Sequence, residues 1–249
     1  MFLDRKNFYM ISQTQEVTIA SIYEKDTDSV DLRKVRLART KEKHVFNFFK
    51  RAFDIFASGL AIIILSPLFL ILSLLVKLSS KGPVLFKDSR IGLHGLTIKV
   101  YKFRTMYIDA EDNIEKYLTP EQLEIWLRDR KLDNDPRITK VGKILRKTSL
   151  DELPQLFNIF TGSLSIVGPR PISRHEMKEN YTHYQMRVLL SVKPGLTGVW
   201  AVYGRSNCTY ESGERQLKEL SYVDNRSLLY DLKIIFMTVP AVLKHKGAK

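Results

Sequence analysis

The sequence predicts a mainly α-helical protein of the α+β class, with one small β-hairpin and with attachment to a membrane through a re-entrant helix–break–helix segment and interfacial amphipathic helices. The membrane segment is predicted because the stretch from Ile55 to Val76 contains no charged residue and has basic flanks on both sides. The α+β class is predicted because apolar residues recur at helical spacing in most of the remaining chain. Residues 81–106 instead combine short β-rich runs with a glycine-containing turn.

Composition limits the classes of partner. The chain has 249 residues, enough for one core or one core plus an appended element. Its 40 Lys and Arg against 27 Asp and Glu give a net charge of +13, which indicates polyanionic partners: nucleic acid, an anionic membrane leaflet or phosphate-bearing substrates. The sequence contains no helix-turn-helix, zinc or RNP-like signature and no GxGxxG or Walker loop, so no nucleic-acid partner is expected. The single cysteine, Cys208, excludes an internal disulfide and fits a reducing compartment.

Residues 1–48 are predicted to form a basic, partly disordered N-terminal arm, and no signal peptide is readable in them. Two interpretations stay open for the basic run DLRKVRLARTKEKH. It is either a solvated arm or a stretch held to anionic lipid head groups, an attraction of roughly 1 kcal/mol for each nearby Lys or Arg.

Residues 49–78 are predicted to form a re-entrant hairpin. As one straight helix the uncharged stretch would be about 33 Å long, which matches a bilayer core, so a spanning helix is the first interpretation. Ser66-Pro67 near the middle predicts a break, because proline removes a backbone donor and the serine hydroxyl can bond the carbonyl that is freed. The basic flanks argue against exporting either end. A re-entrant segment satisfies both features, and a spanning helix and a buried soluble helix are the alternatives.

Residues 79–249 are predicted to form a cytosolic domain with membrane-surface helices. The strands of its hairpin are expected at Val84–Phe86 and Thr97–Tyr101. Helices are expected from Thr119 to Leu132, around Val141, Ile144 and Leu145, from about Ser173 to Leu190, and from Leu228 to a break near Pro240. The last of these is either a core helix or a helix on the membrane surface.

The segment LRKTSLDELPQLFN carries the candidate reactive centre, the adjacent carboxylates Asp151 and Glu152. Ser149 and Glu152 match the S-x-x-E capping box, and Pro154 suits a first helical turn, so a plain helix start is one interpretation. The other is chemical: a carboxylate at a helix N-terminus lies where phosphate is attracted, and it can attack phosphorus to give an acyl phosphate. Such an attack brings two anions together and therefore needs a divalent cation and several guanidinium groups.

Arginines in turns and near the carboxylates are candidates for those groups, because a planar guanidinium grips phosphate oxygens at two points. Each one alone is also compatible with a solvated surface position. The candidates are Arg104, Arg137, Arg146, Arg170 and Arg205. Together with the apolar segment they indicate a membrane-attached, phosphate-handling protein.

Five segments, taken in order, resemble the bacterial sugar transferases that are monotopic phosphoglycosyl transferases, also called polyprenyl-phosphate hexose-1-phosphate transferases. They are KRAFDIFASGLAIIILSPLFLI, KVYKFRTM, DPRITKVGKILRKTSLDELPQLFNIFTGSLSIVGPRP, VKPGLTGVWAVYGRS and LLYDLKII. The resemblance covers about Phe49 to the C-terminus and leaves the arm outside. It corresponds to the short, catalytic-core form of the family, and the block from TSLDELPQL to GPRP is highly specific.

The resemblance implies transfer of a sugar-1-phosphate from a UDP-sugar to undecaprenyl phosphate with release of UMP. The reaction would take place at the cytoplasmic face of a bacterial inner membrane, as the first membrane step of a surface glycan. By the same resemblance Asp151 is the nucleophile of a covalent phosphosugar intermediate, Glu152 is its dyad partner, and Mg²⁺ bridges Asp151 and the diphosphate. The matching phosphate or nucleotide positions are Arg146, Arg170 and Arg205; Arg104 matches the arginine of the family's KFR motif, and Ser66-Pro67 matches the break of the re-entrant helix.

The expected partners are therefore a UDP-sugar, undecaprenyl phosphate and anionic membrane lipids. A homo-oligomer is compatible with the sequence, and the motifs do not distinguish galactose, glucose and N-acetylated sugars. Two other classes stay as hypotheses. One is a membrane-tethered scaffold that has lost catalysis, against which the intact Asp151–Glu152 pair counts. The other is a basic nucleic-acid-binding protein, which lacks a recognition signature.

Overall fold

A computed structural model describes residues 43–129, 132–203, 210 and 212–243 of the chain. Helices dominate this part and its strands are short, so the predicted α+β class is confirmed. The helices are α1 (His44–Ile64), α2 (Ser66–Ser79), α3 (Ile114–Tyr117), α4 (Pro120–Asp129), α5 (Lys140–Thr148), α6 (Gln155–Thr161), α7 (Arg174–Asn180), α8 (His183–Leu189), α9 (Val199–Tyr203), α10 (Glu214–Asn225) and α11 (Leu228–Leu243). The strands are β1 (Leu85–Ile91), β2 (Thr97–Phe103), β3 (Ser165–Val167) and β4 (Gly195–Thr197).

The apolar segment forms α1 and α2, which meet at Ser66-Pro67 with a bend of 65°. Proline at position 67 cannot donate to the carbonyl four residues earlier, that of Ile63, and the Ser66 hydroxyl donates to this same carbonyl at 2.8 Å. The predicted break is therefore confirmed in position and in chemistry. Within the described residues no single helix is long and apolar enough to cross a membrane, whereas α1 and α2 together meet that requirement by length and composition. Large apolar side chains on both helices are exposed, among them Phe56, Ile63, Leu70 and Leu78.

Polar contacts fasten α1 to the rest of the fold. The Arg51 guanidinium donates to the carbonyls of Ile159 (2.7 Å) and Phe160 (2.8 Å) in α6. The buried Asp54 carboxylate accepts from the Ser165 hydroxyl at 2.8 Å and from the next backbone N–H at 3.0 Å, both in β3. Lys50 pairs with Asp231 of α11 at 2.5 Å. These bonds hold the start of the helix pair to three separate elements.

The predicted hairpin is confirmed as the antiparallel pair β1–β2, whose register runs from Leu85 opposite Phe103 to Ile91 opposite Thr97. Both strands extend further than predicted, and β2 continues past Tyr101 to Phe103. The Asn158 side chain of α6 bonds this strand twice, because its amide donates to the Lys99 carbonyl and accepts from the Tyr101 N–H. The hairpin is thereby attached to the helix that follows the candidate reactive centre.

A second sheet, which the sequence did not predict, is the parallel pair β3–β4, with Val167 opposite Thr197. The pairing depends on glycines where the two backbones come closest to each other. A Cβ on Gly195 would lie 2.1 Å from the Gly168 nitrogen, and a Cβ on Gly198 would lie 2.2 Å from the Gly168 oxygen. Only glycine fits such a contact. The pairing therefore brings the segments VGPRP and KPGLTG together.

Two helix predictions are wrong. The helix expected over Ser173–Leu190 is two helices, α7 and α8, because Thr182 forms a capping box with Gln185 and starts a new helix. The expected break near Pro240 is absent, since α11 continues through it to Leu243; a proline removes one helical bond without having to end the helix. The helices expected after Thr119 and around Leu145 are confirmed as α4 and α5.

The last helix, α11, combines both of the interpretations offered for it. One face is in the core, with Ile234 fully buried among Val167, Val199 and Tyr222. The opposite face leaves Leu229 and Phe236 exposed, at 81% and 74%. A buried stripe and an exposed apolar stripe on one helix are typical of an element that lies between a protein core and an apolar surface.

Candidate functional site

The Asp151–Glu152 pair lies on a 3₁₀ turn, Leu150–Glu152, between α5 and α6. The predicted capping box is wrong: Ser149 has a left-handed backbone (φ 57°) and ends α5, and its side chain makes no capping bond. Its N–H donates to the Arg146 carbonyl at 3.1 Å instead. Helix α6 begins only at Gln155, so the carboxylates occupy a tight turn before the α-helix rather than its first turn.

Opposing electrostatic effects act on Asp151. Burial raises the pKa of its carboxyl group to about 6, and repulsion from Glu152 adds to the rise, whereas Lys102 and Arg146 lower it. Lys102, on β2, lies 3.7 Å from Glu152 (Nζ to Oε1). Two carboxylates, Asp151 and Glu152, and two cations, Lys102 and Arg146, therefore lie within electrostatic range of one another at this half-buried turn. We call these four residues the charged turn; at neutral pH most of Asp151 is ionised.

The position of Arg146 follows from how α5 packs. Thr139 caps the helix by accepting from the Gly142 N–H at 2.9 Å, and its own N–H donates to the Thr105 carbonyl at 3.0 Å. One turn later the Arg146 Nε donates to the Thr105 hydroxyl at 2.9 Å. Burial lowers the pKa of Arg146, and Asp151 and Asp135 oppose that change. This arginine, predicted as a phosphate ligand, therefore lies beside the predicted nucleophile.

Arg137 interacts electrostatically with Arg146 and already has a carboxylate partner. Its Nε and Nη2 grip Asp135 at 2.9 and 2.7 Å, both side chains are buried, and its guanidinium lies 5.0 Å from the Trp126 ring centroid. Burial alone would raise the pKa of Asp135, but the hydrogen bonds from Arg137 hold it below the usual value. A bidentate pair of this kind makes Arg137 less available to a substrate phosphate than a free guanidinium would be.

Arg104 uses all five of its N–H donors within the protein. They reach the carbonyls of Val76, Ser80, Pro83 and Met106 and the Ser80 hydroxyl. Two of these carbonyls lie at the C-terminal end of α2, so Arg104 joins the helix pair to the hairpin. The geometry favours this structural role over the predicted contact with substrate.

Arg170 belongs to a separate cluster at the end of β3. Its backbone N–H donates to the buried Glu219 carboxylate at 2.9 Å, and its exposed guanidinium lies 5.0 Å from the ring centroid of Trp200. Burial raises the pKa of Glu219 to about 7, although the Arg170 N–H and the nearby guanidinium groups lower it. The last predicted arginine, Arg205, lies outside the described residues, as does most of the predicted arm.

Sequence reasoning missed Lys102 as a member of the charged turn. The predicted strand ended at Tyr101, which left Lys102 in the following loop, whereas β2 extends to Phe103 and directs the lysine to Glu152. One signal in the sequence could have identified it. Lys102 directly follows Tyr101 in KVYKFRT, so extending the predicted strand by two residues would have included it. Asp135 was missed for a different reason, because its role exists only through its contact with Arg137.

An apolar groove of about 420 Å³ adjoins the charged turn. It is lined by Ile62, Ser66, Phe69, Leu70, Ser73, Val84, Leu85, Phe103, Pro154 and Phe157. Phe103 directly follows Lys102, and Pro154 is close behind Glu152 in the chain. Ser66, at the break between α1 and α2, also lines the groove. The same two chain segments therefore contribute to the charged turn and to the lining of the apolar groove.

The two adjacent carboxylates fit a magnesium ion, which typically takes one or two carboxylates together with substrate phosphates and waters. Among the described residues, no cluster of three or more His, Cys, Asp or Glu side chains forms a metal site of protein ligands alone.

The sequence model of the family described as bacterial sugar transferase matches residues 45–245. The chain is 45% identical over 201 residues to the exopolysaccharide production protein ExoY of Rhizobium meliloti, covering 80% of this chain and 87% of ExoY. It is 40% identical over 232 residues to the undecaprenyl-phosphate galactose phosphotransferase of Salmonella typhimurium, covering 91% of this chain and 48% of that protein. It is also 40% identical over 221 residues to the UDP-glucose:undecaprenyl-phosphate glucose-1-phosphate transferase of Escherichia coli, covering 86% of this chain and 44% of that protein.

Proposed function

Because the chain belongs to the bacterial sugar transferase family, we propose that it transfers a sugar-1-phosphate from a UDP-sugar to undecaprenyl phosphate, releasing UMP and forming undecaprenyl-diphosphate-sugar. The names of the Salmonella and Escherichia relatives support the lipid acceptor, and UDP-glucose in the second name supports the donor. The ExoY name supports a place at the start of surface polysaccharide or glycoconjugate synthesis.

The observation that carries the proposal is the junction of the charged turn with the apolar groove. A polyprenyl phosphate has a charged head and a long apolar tail, so its site needs cations and an apolar channel in direct contact. Lys102 and Glu152 lie at the charged end, and Phe103 and Pro154, one and two residues further along the same segments, line the groove. Ser66 at the helix break is among the residues that line the groove, and we propose that a lipid tail enters there from the membrane.

In the proposed first step, a carboxylate oxygen of Asp151 attacks the phosphorus that carries the sugar. A new P–O bond forms to Asp151, the P–O bond to UMP breaks, and UMP leaves with the electron pair. With a pKa of about 6, roughly nine-tenths of Asp151 is ionised at pH 7. Arg146 and Lys102 offset the negative charge that develops in the transition state.

In the second step, a phosphate oxygen of undecaprenyl phosphate attacks the same phosphorus and the bond to Asp151 breaks. The diphosphate bridge forms and the aspartate returns as a carboxylate. Glu152, as the dyad partner, takes the proton when the acceptor arrives as a monoanion. Asp151 and Glu152 are also the residues that would hold Mg²⁺, which when bound supplies positive charge to the diphosphate.

We place the catalytic domain on the cytoplasmic face of the inner membrane, with α1 and α2 re-entering the leaflet. Both ends of the helix pair are bonded to one folded body, α1 through Arg51 and α2 through Arg104. A pair with both ends on the same body returns to the side from which it entered. Lys77 and Lys81 then face the anionic head groups.

Topology is tested by labelling Val45→Cys and Lys81→Cys separately in a Cys208→Ser background, using an impermeant maleimide on intact and on opened cells. We expect both positions to react only after the cells are opened. Labelling of Val45→Cys from outside would restore the spanning helix.

The reaction is tested by incubating purified protein with undecaprenyl phosphate, Mg²⁺ and a panel of UDP-sugars, and by measuring UMP. Asp151→Asn should stop UMP release and should leave no phosphosugar adduct in the intact mass after incubation without acceptor. Asp109→Asn, which breaks a pair with Lys116 outside the charged turn, is the matched control. Silence of the folded wild type with every sugar would favour the scaffold, and an active Asp151→Asn would refute the nucleophile.

A further inference from the structure

Arg170 and Trp200 meet where their chain segments leave the parallel sheet. Val167 ends β3 and lies opposite Thr197, which ends β4. The first segment continues through Gly168-Pro169 to Arg170, and the second enters α9, which carries Trp200. The guanidinium carbon of Arg170 is accordingly 5.0 Å from the Trp200 ring centroid.

The backbone beneath this contact has little freedom. The Gly168 N–H donates to the Thr197 carbonyl at 2.9 Å, and the Gly195 N–H donates to the Pro169 carbonyl at 2.8 Å. A Cβ on Gly168 would lie 2.5 Å from the Lys193 oxygen, so the two chains touch through their backbones. The backbone that leads into Arg170 is therefore held in one position relative to β4.

Two further side chains extend this arrangement. The Arg215 guanidinium carbon is 4.8 Å from the Trp200 ring centroid and 4.1 Å from that of Tyr210, and its Nη2 donates to Glu176 at 3.1 Å. Glu219, only 2% exposed, accepts from the Arg170 N–H with one carboxylate oxygen. We call Trp200, Arg215 and Glu219 the support cluster.

The guanidinium of Arg170 differs from those of the other predicted arginines. Arg104 and Arg137 are bonded to carbonyls or a carboxylate, and Arg146 is bonded to a threonine hydroxyl. Within the described part of the chain, the Arg170 guanidinium contacts a ring face and donates to no hydrogen-bond acceptor, and the residue is exposed. Contact with a ring restrains the group and leaves its N–H edge open to an anion.

We propose that Trp200, Arg215 and Glu219 are positioning residues that hold the open guanidinium of Arg170 ready for the diphosphate of the nucleotide sugar. The charge of Arg215 is balanced by Glu176, so its nearby guanidinium stacks without competing for the substrate anion. The support cluster thereby determines the affinity for the nucleotide sugar and does not affect the affinity for the lipid acceptor. This inference rests on the proposed function.

The test compares Trp200→Leu and Trp200→Phe with wild type, using UDP binding by calorimetry and UMP release at varied UDP-sugar and varied acceptor. Losing the ring should weaken UDP binding about tenfold and raise the KM for the UDP-sugar to a similar extent, whereas phenylalanine should weaken it about threefold. The KM for undecaprenyl phosphate should not change. Tyr184→Leu, which removes the ring beneath Arg187 on α8, is the matched control and should behave as wild type.

Arg215→Lys gives an independent variant in case Trp200→Leu does not fold, because lysine keeps the charge and loses the planar group that lies against the ring. It should also weaken UDP binding, by about threefold or more. Wild-type UDP affinity in both Trp200→Phe and Arg215→Lys would overturn the positioning role, as would a fall in kcat with unchanged UDP affinity. A folded wild type that neither binds UDP nor releases UMP would instead refute the proposed function itself.

Discussion

Gly142 decides how closely α5 approaches Thr105, in the segment that follows β2. A Cβ built on Gly142 would lie 2.1 Å from the Thr105 oxygen and 2.8 Å from the carbonyl carbon of the same residue. These neighbours are backbone atoms and cannot rotate away, so Gly142→Ala must push α5 back by about 1 Å to restore ordinary contact. The hydrogen bonds from Thr139 N–H and from Arg146 to Thr105, at 3.0 and 2.9 Å, would lengthen with that movement.

The magnitude follows from three effects. Overpacking costs about 1–3 kcal/mol and each weakened hydrogen bond about 1 kcal/mol, while alanine in a helix recovers about 1 kcal/mol relative to glycine. With two hydrogen bonds weakened, the net loss of about 3 kcal/mol corresponds to a fall in Tm of roughly 6–12 °C for a chain of this size. Displacing Arg146 by about 1 Å from its position beside Asp151 should lower kcat/KM by up to about a hundredfold.

The assay is thermal unfolding and UMP release of Gly142→Ala in parallel with Gly59→Ala. Gly59 is also a helical glycine, but its nearest contact is the Phe160 ring at 3.3 Å, a side chain that can shift. We expect Gly59→Ala to keep wild-type stability to within about 1 kcal/mol and to keep its activity. Wild-type Tm and turnover in Gly142→Ala would refute the claim that this close approach places Arg146.

Three further changes have expected outcomes. Lys102→Gln removes a cation that lowers the pKa of Asp151, so the acid limb of kcat/KM should move from about pH 6 to higher pH in a pH–rate profile of UMP release, and an unmoved limb would contradict the assigned contact. Arg104→Leu strands several buried carbonyls and should lower stability by about 3 kcal/mol or more, while the folded fraction keeps its UDP affinity; a selective loss of UDP binding would support the substrate role instead. Burial places the folded-state pKa of Glu219 at about 7, above its ordinary 4.5, so its contribution to stability is complete below pH 4.5 and is lost as the pH rises through 7. Thermal unfolding should therefore show the wild type losing on the order of 3 kcal/mol relative to Glu219→Gln between pH 4.5 and 8, and parallel curves would contradict it.

Local features were predictable where a short stretch of sequence has one structural consequence. At Ser66-Pro67 the proline removes a particular donor and the adjacent serine bonds the freed carbonyl of Ile63, so the break followed from the dipeptide. Proline alone was not sufficient, because α11 continues through Pro240. The hairpin and the helices near Thr119 and Leu145 followed from periodicity and from turn residues in the same way.

Features that depend on distant contacts were not predictable. Ser149 and Glu152 matched a capping box, but Ser149 ends the preceding helix in a left-handed conformation. The motif alone does not show whether such a residue ends one helix or begins the next. The strands β3 and β4 are only a few residues long, and their paired residues are far apart in the sequence. No local sequence pattern therefore predicts them. Lys102 was missed because its role depends on a strand end and on a carboxylate far along the chain.

The predicted arginines show why residue type and motif position alone leave the site open. Their guanidinium groups are chemically identical, yet Arg104 donates its hydrogen bonds mainly to backbone carbonyls and Arg137 donates to a carboxylate. Arg146 and Arg170 instead keep N–H donors that can bind an anion. An arginine with its own buried acceptors must lose those bonds before it can bind phosphate, at a cost of about 1–3 kcal/mol for each group left unpaired. An arginine that is held by a ring, or by a single hydroxyl, loses far less. The free energy of phosphate binding is therefore set by what each arginine must give up inside the protein, and that quantity depends on contacts that only the folded chain creates.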